Sequence, residues 1–224
     1  MCGRFAMYSN AYFLENLPDL ENPEITEQAA SRYNAAPGQE ILTAVSGKKG
    51  IRAGFMKWGL VPFWAKEPSI GYKMINARAE TADEKPSFKN LLGKRRCLIP
   101  VNGFYEWKKE NSCKQPYYIF PKKGGLFFFA GLWDRWEQDG TTLHTCTILT
   151  TEANQVMSPV HHRMPVILNQ EGQDIWLDRD QTDKSSFKKL LVPSPSESMD
   201  LYPVSQYVNK AGNEGPECIE RMEF

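Results

Sequence analysis

Leu126-Phe127-Phe128-Phe129-Ala130-Gly131-Leu132-Trp133 is apolar on both faces of an extended chain. A strand with one face in water alternates apolar and polar residues, whereas a strand covered on both sides runs continuously apolar. This stretch therefore reads as a central, buried strand. Residues 143–151 supply a half-buried companion, with Leu143, Thr145, Thr147 and Leu149 on one side and His144, Cys146, Ile148 and Thr150 on the other. Further out, residues 41–45, 51–58, 97–101, 117–120 and 165–168 are short aromatic and β-branched runs bounded by Gly, Pro or charge, as strands are.

Helical patterns are shorter and lie between the strands. Residues 11–17 carry Tyr12, Phe13 and Leu17, and residues 87–92 follow a proline. Residues 171–177 follow Asn169 as an N-cap, and residues 183–191 carry Phe187, Leu190 and Leu191 with Lys188 and Lys189 near the C-terminal end. Long helices do not alternate with the strands, which disfavours a doubly wound parallel sheet. The expected fold is α+β: a mixed, mostly antiparallel, barrel-like sheet with peripheral helices. One domain over residues 1–224 is expected, with Pro193-Ser194-Pro195-Ser196-Glu197-Ser198 as a surface turn.

Composition narrows the function classes. With 224 residues, 41% hydrophobic and 24% charged, the chain has the make-up of a folded globular protein. No apolar run is long enough for a membrane-spanning helix, and Met1-Cys2-Gly3-Arg4-Phe5 lacks the apolar stretch of a secretory signal. Lys+Arg and Asp+Glu are 27 each, which excludes a uniformly basic DNA-coating protein but leaves room for a local basic groove. Five scattered cysteines without a Cys-x-x-Cys pair predict neither a zinc site nor a disulfide framework, and fit a reducing cytoplasm. No glycine-rich phosphate loop is present. No metal and no cofactor are expected.

Cys2 stands out by position. If Met1 is removed, residue two carries an α-amine and a thiol on adjacent carbons. The amine titrates near about 7.7–8.0 against about 10.4 for lysine, so roughly a tenth of it is nucleophilic at pH 7. Such a 1,2-aminothiol suits an aldehyde: the amine forms an imine and the thiol closes a five-membered thiazolidine. Two other readings stand beside it. Cys2 is a small packing residue of an N-terminal strand, as most free cysteines are, or the nucleophile of a cysteine hydrolase.

Three further segments concentrate chemistry. Lys73-Met74-Ile75-Asn76-Ala77-Arg78-Ala79-Glu80-Thr81 brings an amide, a guanidinium and a carboxylate together. Cys97-Leu98-Ile99-Pro100-Val101-Asn102-Gly103-Phe104-Tyr105-Glu106-Trp107 sets one acid among aromatic residues. Ser158-Pro159-Val160-His161-His162-Arg163-Met164-Pro165 holds two of the three histidines. Each also has a plainer reading: Glu106 pairs with Lys108 or Lys109, His161 is a loop histidine, Asn76 a turn residue.

Taken with the N-terminal five residues, Arg32-Tyr33-Asn34-Ala35-Ala36-Pro37-Gly38, Trp58-Gly59-Leu60-Val61-Pro62, Pro203-Val204-Ser205 and Val208-Asn209, these segments resemble the SRAP family, the SOS response-associated peptidase proteins. The resemblance implies a barrel-like α+β fold and an abasic-site sensor that binds single-stranded DNA and crosslinks to it through Cys2. It implies a catalytic set of Cys2 as nucleophile with Asn76, Glu106 and His161 beside it. Glu106 would take a proton from the amine and His161 would move protons at the sugar oxygens. Asn76, which keeps its charge state, would orient the reacting groups.

The same resemblance makes Arg4 and Arg78 phosphate clamps, with Arg163 a third cation, and Trp64 a wedge beside the DNA. Pro37, Gly38 and Thr150 become contacts to the DNA backbone. Lys94-Arg95-Arg96 and Lys122-Lys123 read as solvated surface, and Trp133, Trp136 and Trp176 as core. The expected partner is single-stranded DNA containing abasic sites. The expected protein is a monomer, cytoplasmic and nucleoid-associated when bound to DNA. A thiol peptidase and a noncovalent single-strand-binding module are the rival functions.

Overall fold

A computed structural model describes residues 2–8, 20–110 and 113–223. Among them the chain forms twelve strands: β1 (Phe5–Met7), β2 (Arg32–Ala35), β3 (Glu40–Ser46), β4 (Ile51–Trp58), β5 (Asn76–Arg78), β6 (Arg96–Val101), β7 (Gly103–Glu110), β8 (Cys113–Pro121), β9 (Phe127–Gln138), β10 (Thr141–Glu152), β11 (Arg163–Pro165) and β12 (Met199–Pro203). Three short helices accompany them: α1 (Ile25–Gln28), α2 (Gln170–Leu177) and α3 (Lys184–Leu190).

The apolar run forms β9, and its neighbours explain its composition. It pairs with β6 on one edge and β10 on the other. The order β10-β4-β3-β6-β9, closed by the β9–β10 pairing, makes a five-stranded barrel. The β4–β10 pairing is parallel and the remaining contacts of the ring are antiparallel. Closure removes the exposed edges that an open sheet of this composition would carry. Beside the barrel lies an antiparallel sheet in the order β12-β8-β7-β1-β2. The mixed, mostly antiparallel barrel expected from the sequence is the architecture found.

The two layers are joined where β6 runs straight into β7. The Asn102 N–H donates to the Ala6 carbonyl at 2.8 Å, and Asn102 Oδ1 accepts from the Tyr8 N–H at 2.7 Å. Phe5 of β1 enters the barrel core with its ring 5.0 Å from that of Trp58 and 6.4 Å from that of Phe129. Burying such a side chain stabilises the fold by about 1.5–3 kcal/mol. It also anchors the chain three residues from Cys2.

α2 begins at Asn169, whose Oδ1 accepts from the Gly172 N–H at 2.9 Å, and buries Trp176 against β6. α3 begins at Asp183, which caps the Ser185 N–H at 2.9 Å. Residues 87–92 differ from the expected helix. Their turns mix bonds three and four residues back, such as Leu91 N–H to Phe88 O and Arg95 N–H to Leu91 O, so no regular run develops. β11 covers only Arg163–Pro165, and Ile167 adds a single bridge to Phe129. The helix expected over residues 11–17 lies outside the described residues.

Arg96 departs from the solvated surface expected for it. Its guanidinium is buried and donates to the carbonyls of Leu92, Trp176 and Asp178. Trp136 and Trp176 are core residues and Trp133 is half-buried.

Candidate active site

Each supporting strand presents its chemistry through alternation. Along β5 the side chain of Ala77 is buried while Asn76 and Arg78 share the other face, as a period of two requires. β5 is clamped parallel to β10, with Asn76 opposite Ile148 and Arg78 opposite Thr150. The residue before it is held too: Trp58 Nε1 donates to the Ile75 carbonyl at 2.9 Å. So placed, Asn76 Nδ2 donates to the backbone carbonyl of Cys2 at 2.7 Å.

β7 brings up Glu106. Phe5 pairs with Phe104 and the Tyr105 N–H donates to the Arg4 carbonyl at 3.0 Å. Carried back along β1, that register sets residues 2–3 beside Glu106. The Glu106 side chain is 4% exposed. Burial pushes the Cys2 thiol far above its ordinary range, and the Glu106 charge pushes the same way. Burial lowers the His161 pKa while the Glu106 charge raises it, and burial prevails. Cys2, Glu106 and His161 thus share one electrostatic neighbourhood.

His161 lies just before β11. The Arg163 peptide offers its Nδ1 two partners, an N–H donor at 3.0 Å and a carbonyl acceptor at 3.2 Å. The ring therefore meets a compatible partner in either tautomer, and Nε2 presents a proton or a lone pair accordingly. The Arg163 side chain is turned inward. Its guanidinium holds both Glu80 carboxylate oxygens, at 2.6 and 2.9 Å, and the Thr150 carbonyl at 2.6 Å.

A cleft of about 500 Å³ opens over this group, lined by Arg4, Glu106, Trp107, Lys114, His161 and Asn209. Arg4 donates to Asn34 Oδ1 at 2.7 Å and to the Val208 carbonyl at 2.8 Å, with its guanidinium over the Trp107 ring. Trp107 Nε1 donates to Asn209 Oδ1 at 2.7 Å. The buried amide of Asn34 reaches the carbonyls of Val208, Lys210 and Asn213 and so fastens the C-terminal segment over the sheet.

Residues 1–211 match the family described as SOS response associated peptidase. The chain belongs to the SRAP family. Abasic site processing protein YoqW of Bacillus subtilis (strain 168) is 44% identical over 222 residues, covering 98% of this chain and 99% of that protein. Abasic site processing protein HMCES of Xenopus tropicalis is 38% identical over 226 residues, covering 90% of this chain and 64% of that one. A crystal structure of a Bacteroides thetaiotaomicron protein superposes with a TM-score of 0.89 at 29% identity, covering 99% of this chain and all of that one.

In this SRAP chain the four central residues of the sequence reading converge: Cys2 with Asn76 by a hydrogen bond, Cys2 and His161 with Glu106 by charge. The expected DNA contacts divide. Arg78 and Trp64 are exposed, and Pro37 and Gly38 are partly exposed. Arg4 lines the cleft while half-buried. Thr150 is fully buried, and Arg163 is buried and paired with the half-exposed Glu80. Thr150 stands opposite Arg78 of β5, and the Arg163 main chain holds His161 Nδ1.

Several cleft residues escaped the sequence reading. Trp107, Lys114 and Asn209 line the cleft, and Tyr72 stands exposed against Gly38 with Lys57 near its ring. Asn34, Trp107 and Asn209 lay inside the motifs quoted for the resemblance, so position within those motifs was the available signal. Among the described residues no group of three or more His, Cys, Asp or Glu side chains is arranged to hold a metal ion. Among the described residues no helix is long and apolar enough to cross a membrane.

Proposed function

We propose that this protein processes abasic sites in single-stranded DNA by crosslinking itself to them through Cys2 after Met1 is removed. The observation that carries the reading is the Asn76 hydrogen bond to the Cys2 carbonyl, which holds the buried residue two within reach of the Glu106 charge, behind a cleft lined by Glu106 and His161. The names of the relatives, abasic site processing proteins at 38–44% identity, point to the same substrate.

The chemistry follows in balanced steps. An abasic sugar is mostly a closed hemiacetal. His161 Nε2 takes the proton of the anomeric hydroxyl and returns it to the ring oxygen as the ring opens to the aldehyde. Glu106 accepts a proton from the Cys2 ammonium, and the freed amine adds to the aldehyde carbon. The carbinolamine loses water, with Glu106 returning its proton to the departing hydroxyl, and a protonated imine remains. The thiol then adds to the imine carbon and its proton passes to the nitrogen. One water is released in all.

Burial and the neighbouring Glu106 charge keep the thiol protonated. An amine-first order therefore suits the site, and a thiol peptidase that attacks as thiolate suits it poorly. Asn76 steers the main chain of residue two, and so the amine. Arg78, Lys114 and Arg4 supply positive charge around the cleft. Trp64 offers a face on which a base stacks.

The test is incubation of the Met1-free protein with a uracil-excised single-stranded oligonucleotide, read on a denaturing gel. A slowly migrating species is expected from the parent. Cys2→Ser is expected to give a species only after borohydride reduction, because it stops at the imine. A version whose N-terminus is kept blocked should give none. Equal crosslinking by the blocked form would overturn the aminothiol mechanism.

A further inference from the structure

At the other end of β6 from the DNA cleft lies a pocket of about 270 Å³. β6 starts in it at Arg96 and ends beside β1, about 17 Å away at roughly 3.3 Å per residue. Lys94, Arg96 and Arg179 line the pocket together with Ser46, Thr182 and the edge of Trp133, and no carboxylate is among the lining residues.

Arg96 gives the pocket its character. The guanidinium is buried, makes its hydrogen bonds to main-chain carbonyls and sits 3.8 Å above the centre of the Phe187 ring. These contacts satisfy its donors but bring no full negative charge. A buried charge without a counter-ion is costly, typically by several kcal/mol. The carboxylate whose charge it feels is Asp178, which is exposed and accepts the Asp180 N–H through Oδ1. Burial accordingly lowers the Arg96 pKa to about 10. Two further cations stand at the mouth: Lys94 is exposed, and Arg179, also exposed, is steadied by an Nη1 bond to the Gly47 carbonyl at 2.9 Å.

We infer that this pocket is an anion site for a phosphate monoester, held by Lys94 and Arg179 with the Arg96 charge behind them and the Ser46 and Thr182 hydroxyls at its side. Two sources carry that group, a free nucleotide and the terminal phosphate of a DNA strand. Neither needs the crosslinking chemistry, so the inference stands or falls independently of it.

The test titrates inorganic phosphate and dAMP at constant ionic strength and follows thermal unfolding. Both should raise the Tm of the parent beyond what chloride does. Lys94→Gln with Arg179→Gln should weaken the apparent affinity about tenfold or more, while Lys123→Gln, in the β8–β9 turn and not among the residues lining the pocket, should not. If the double variant is itself destabilised, broadening of the dAMP phosphorus resonance by folded Lys94→Gln at low temperature gives the same comparison. A 5′-phosphorylated oligonucleotide binding more tightly than its 5′-hydroxyl twin, with the difference lost in the double variant, would assign the DNA end as the source. dAMP binding without that difference would assign the free nucleotide. A parent that responds to phosphate and dAMP no more than to chloride, or a double variant that keeps the parental affinity, would overturn the site.

Discussion

The side-chain amide of Asn76 donates to the main-chain carbonyl of Cys2 at 2.7 Å, across a gap of 74 residues in sequence. That bond joins the two layers of the fold. Asn76 belongs to β5, which is fixed to the barrel through β10, and Cys2 belongs to the segment leading into β1 of the flanking sheet. The candidate site sits on the seam between the two sheets, and under the proposed chemistry its geometry is set by that seam.

Asn76→Ala removes the bond and should slow single-turnover crosslinking by about ten- to a hundredfold, the scale expected when a reacting group loses its fixed position. Asn76→Asp should be worse, since a carboxylate oxygen would face a carbonyl oxygen. Neither change touches the core, so Tm should move little. Unchanged crosslinking rates in both variants would exclude the positioning role.

The pH profile separates His161 from Glu106. Burial depresses the His161 pKa, so the ring stays neutral to lower pH than a free histidine and is lost as a base only below about 6.5. The acid limb of the crosslinking rate should therefore fall below that value, and His161→Gln should remove it. Glu106→Gln should slow the reaction at pH 7 by about a hundredfold and recover as pH passes about 8, where the amine deprotonates unaided. A Glu106→Gln profile that stays flat across that range would take the base role from Glu106.

The barrel was legible because its central strands announce themselves. Leu126 to Trp133 is apolar on both faces, and residues 51–58 coincide with β4. β7 was not legible. Its second half, Trp107-Lys108-Lys109-Glu110, is polar and charged, and it is a strand because the β8 hairpin supplies its hydrogen bonds. β1, β2 and β5 are three or four residues long, too short for periodicity to register. The site residues were read from motifs, and motif membership does not distinguish a side chain facing the cleft from one facing the core. Arg163 and Thr150 show the consequence. Both lie in or beside the right segments, and both are buried in supporting contacts.

That supporting role has its own signature in stability. The Arg163 guanidinium holds the Glu80 carboxyl below the usual carboxylate range. A depressed carboxylate contributes stability that is complete above its unfolded pKa of about 4.3 and is lost as pH falls through the folded value. Glu80 is half-exposed, so solvent screening limits the pair. Glu80→Gln should lower Tm by about 2–4 °C at pH 7. The gap between parent and variant should shrink as pH drops below about 4 and vanish once the parental carboxyl is protonated. A constant gap down to pH 2 would mean that the ion pair is not its source.

The loop carrying Phe63, Trp64 and Tyr72 exposes all three rings, yet its main chain is tightly held. The Phe63 N–H donates to buried Asp134 at 2.8 Å, the Val61 N–H to Thr145 Oγ1 at 2.9 Å, and Trp136 Nε1 to the Ala65 carbonyl at 2.7 Å. Gly59 and Gly71 close its base back to back: a Cβ on Gly71 would come within 2.6 Å of the Gly59 carbonyl oxygen. Rigid mounting of exposed aromatic rings suits stacking on unpaired bases, worth about 1–3 kcal/mol per base. Trp64→Ala should therefore weaken binding of undamaged single-stranded DNA by about five- to a hundredfold with Tm unchanged. Gly71→Ala should push the loop off its base, weakening DNA binding and lowering Tm together. Because Trp64 is not among the residues lining the cleft, Trp64→Ala should recover the parental crosslinking rate when abasic DNA is saturating. A Trp64→Ala protein that binds DNA as the parent does, or that stays slow at saturation, would show that the ring is not a stacking platform for substrate.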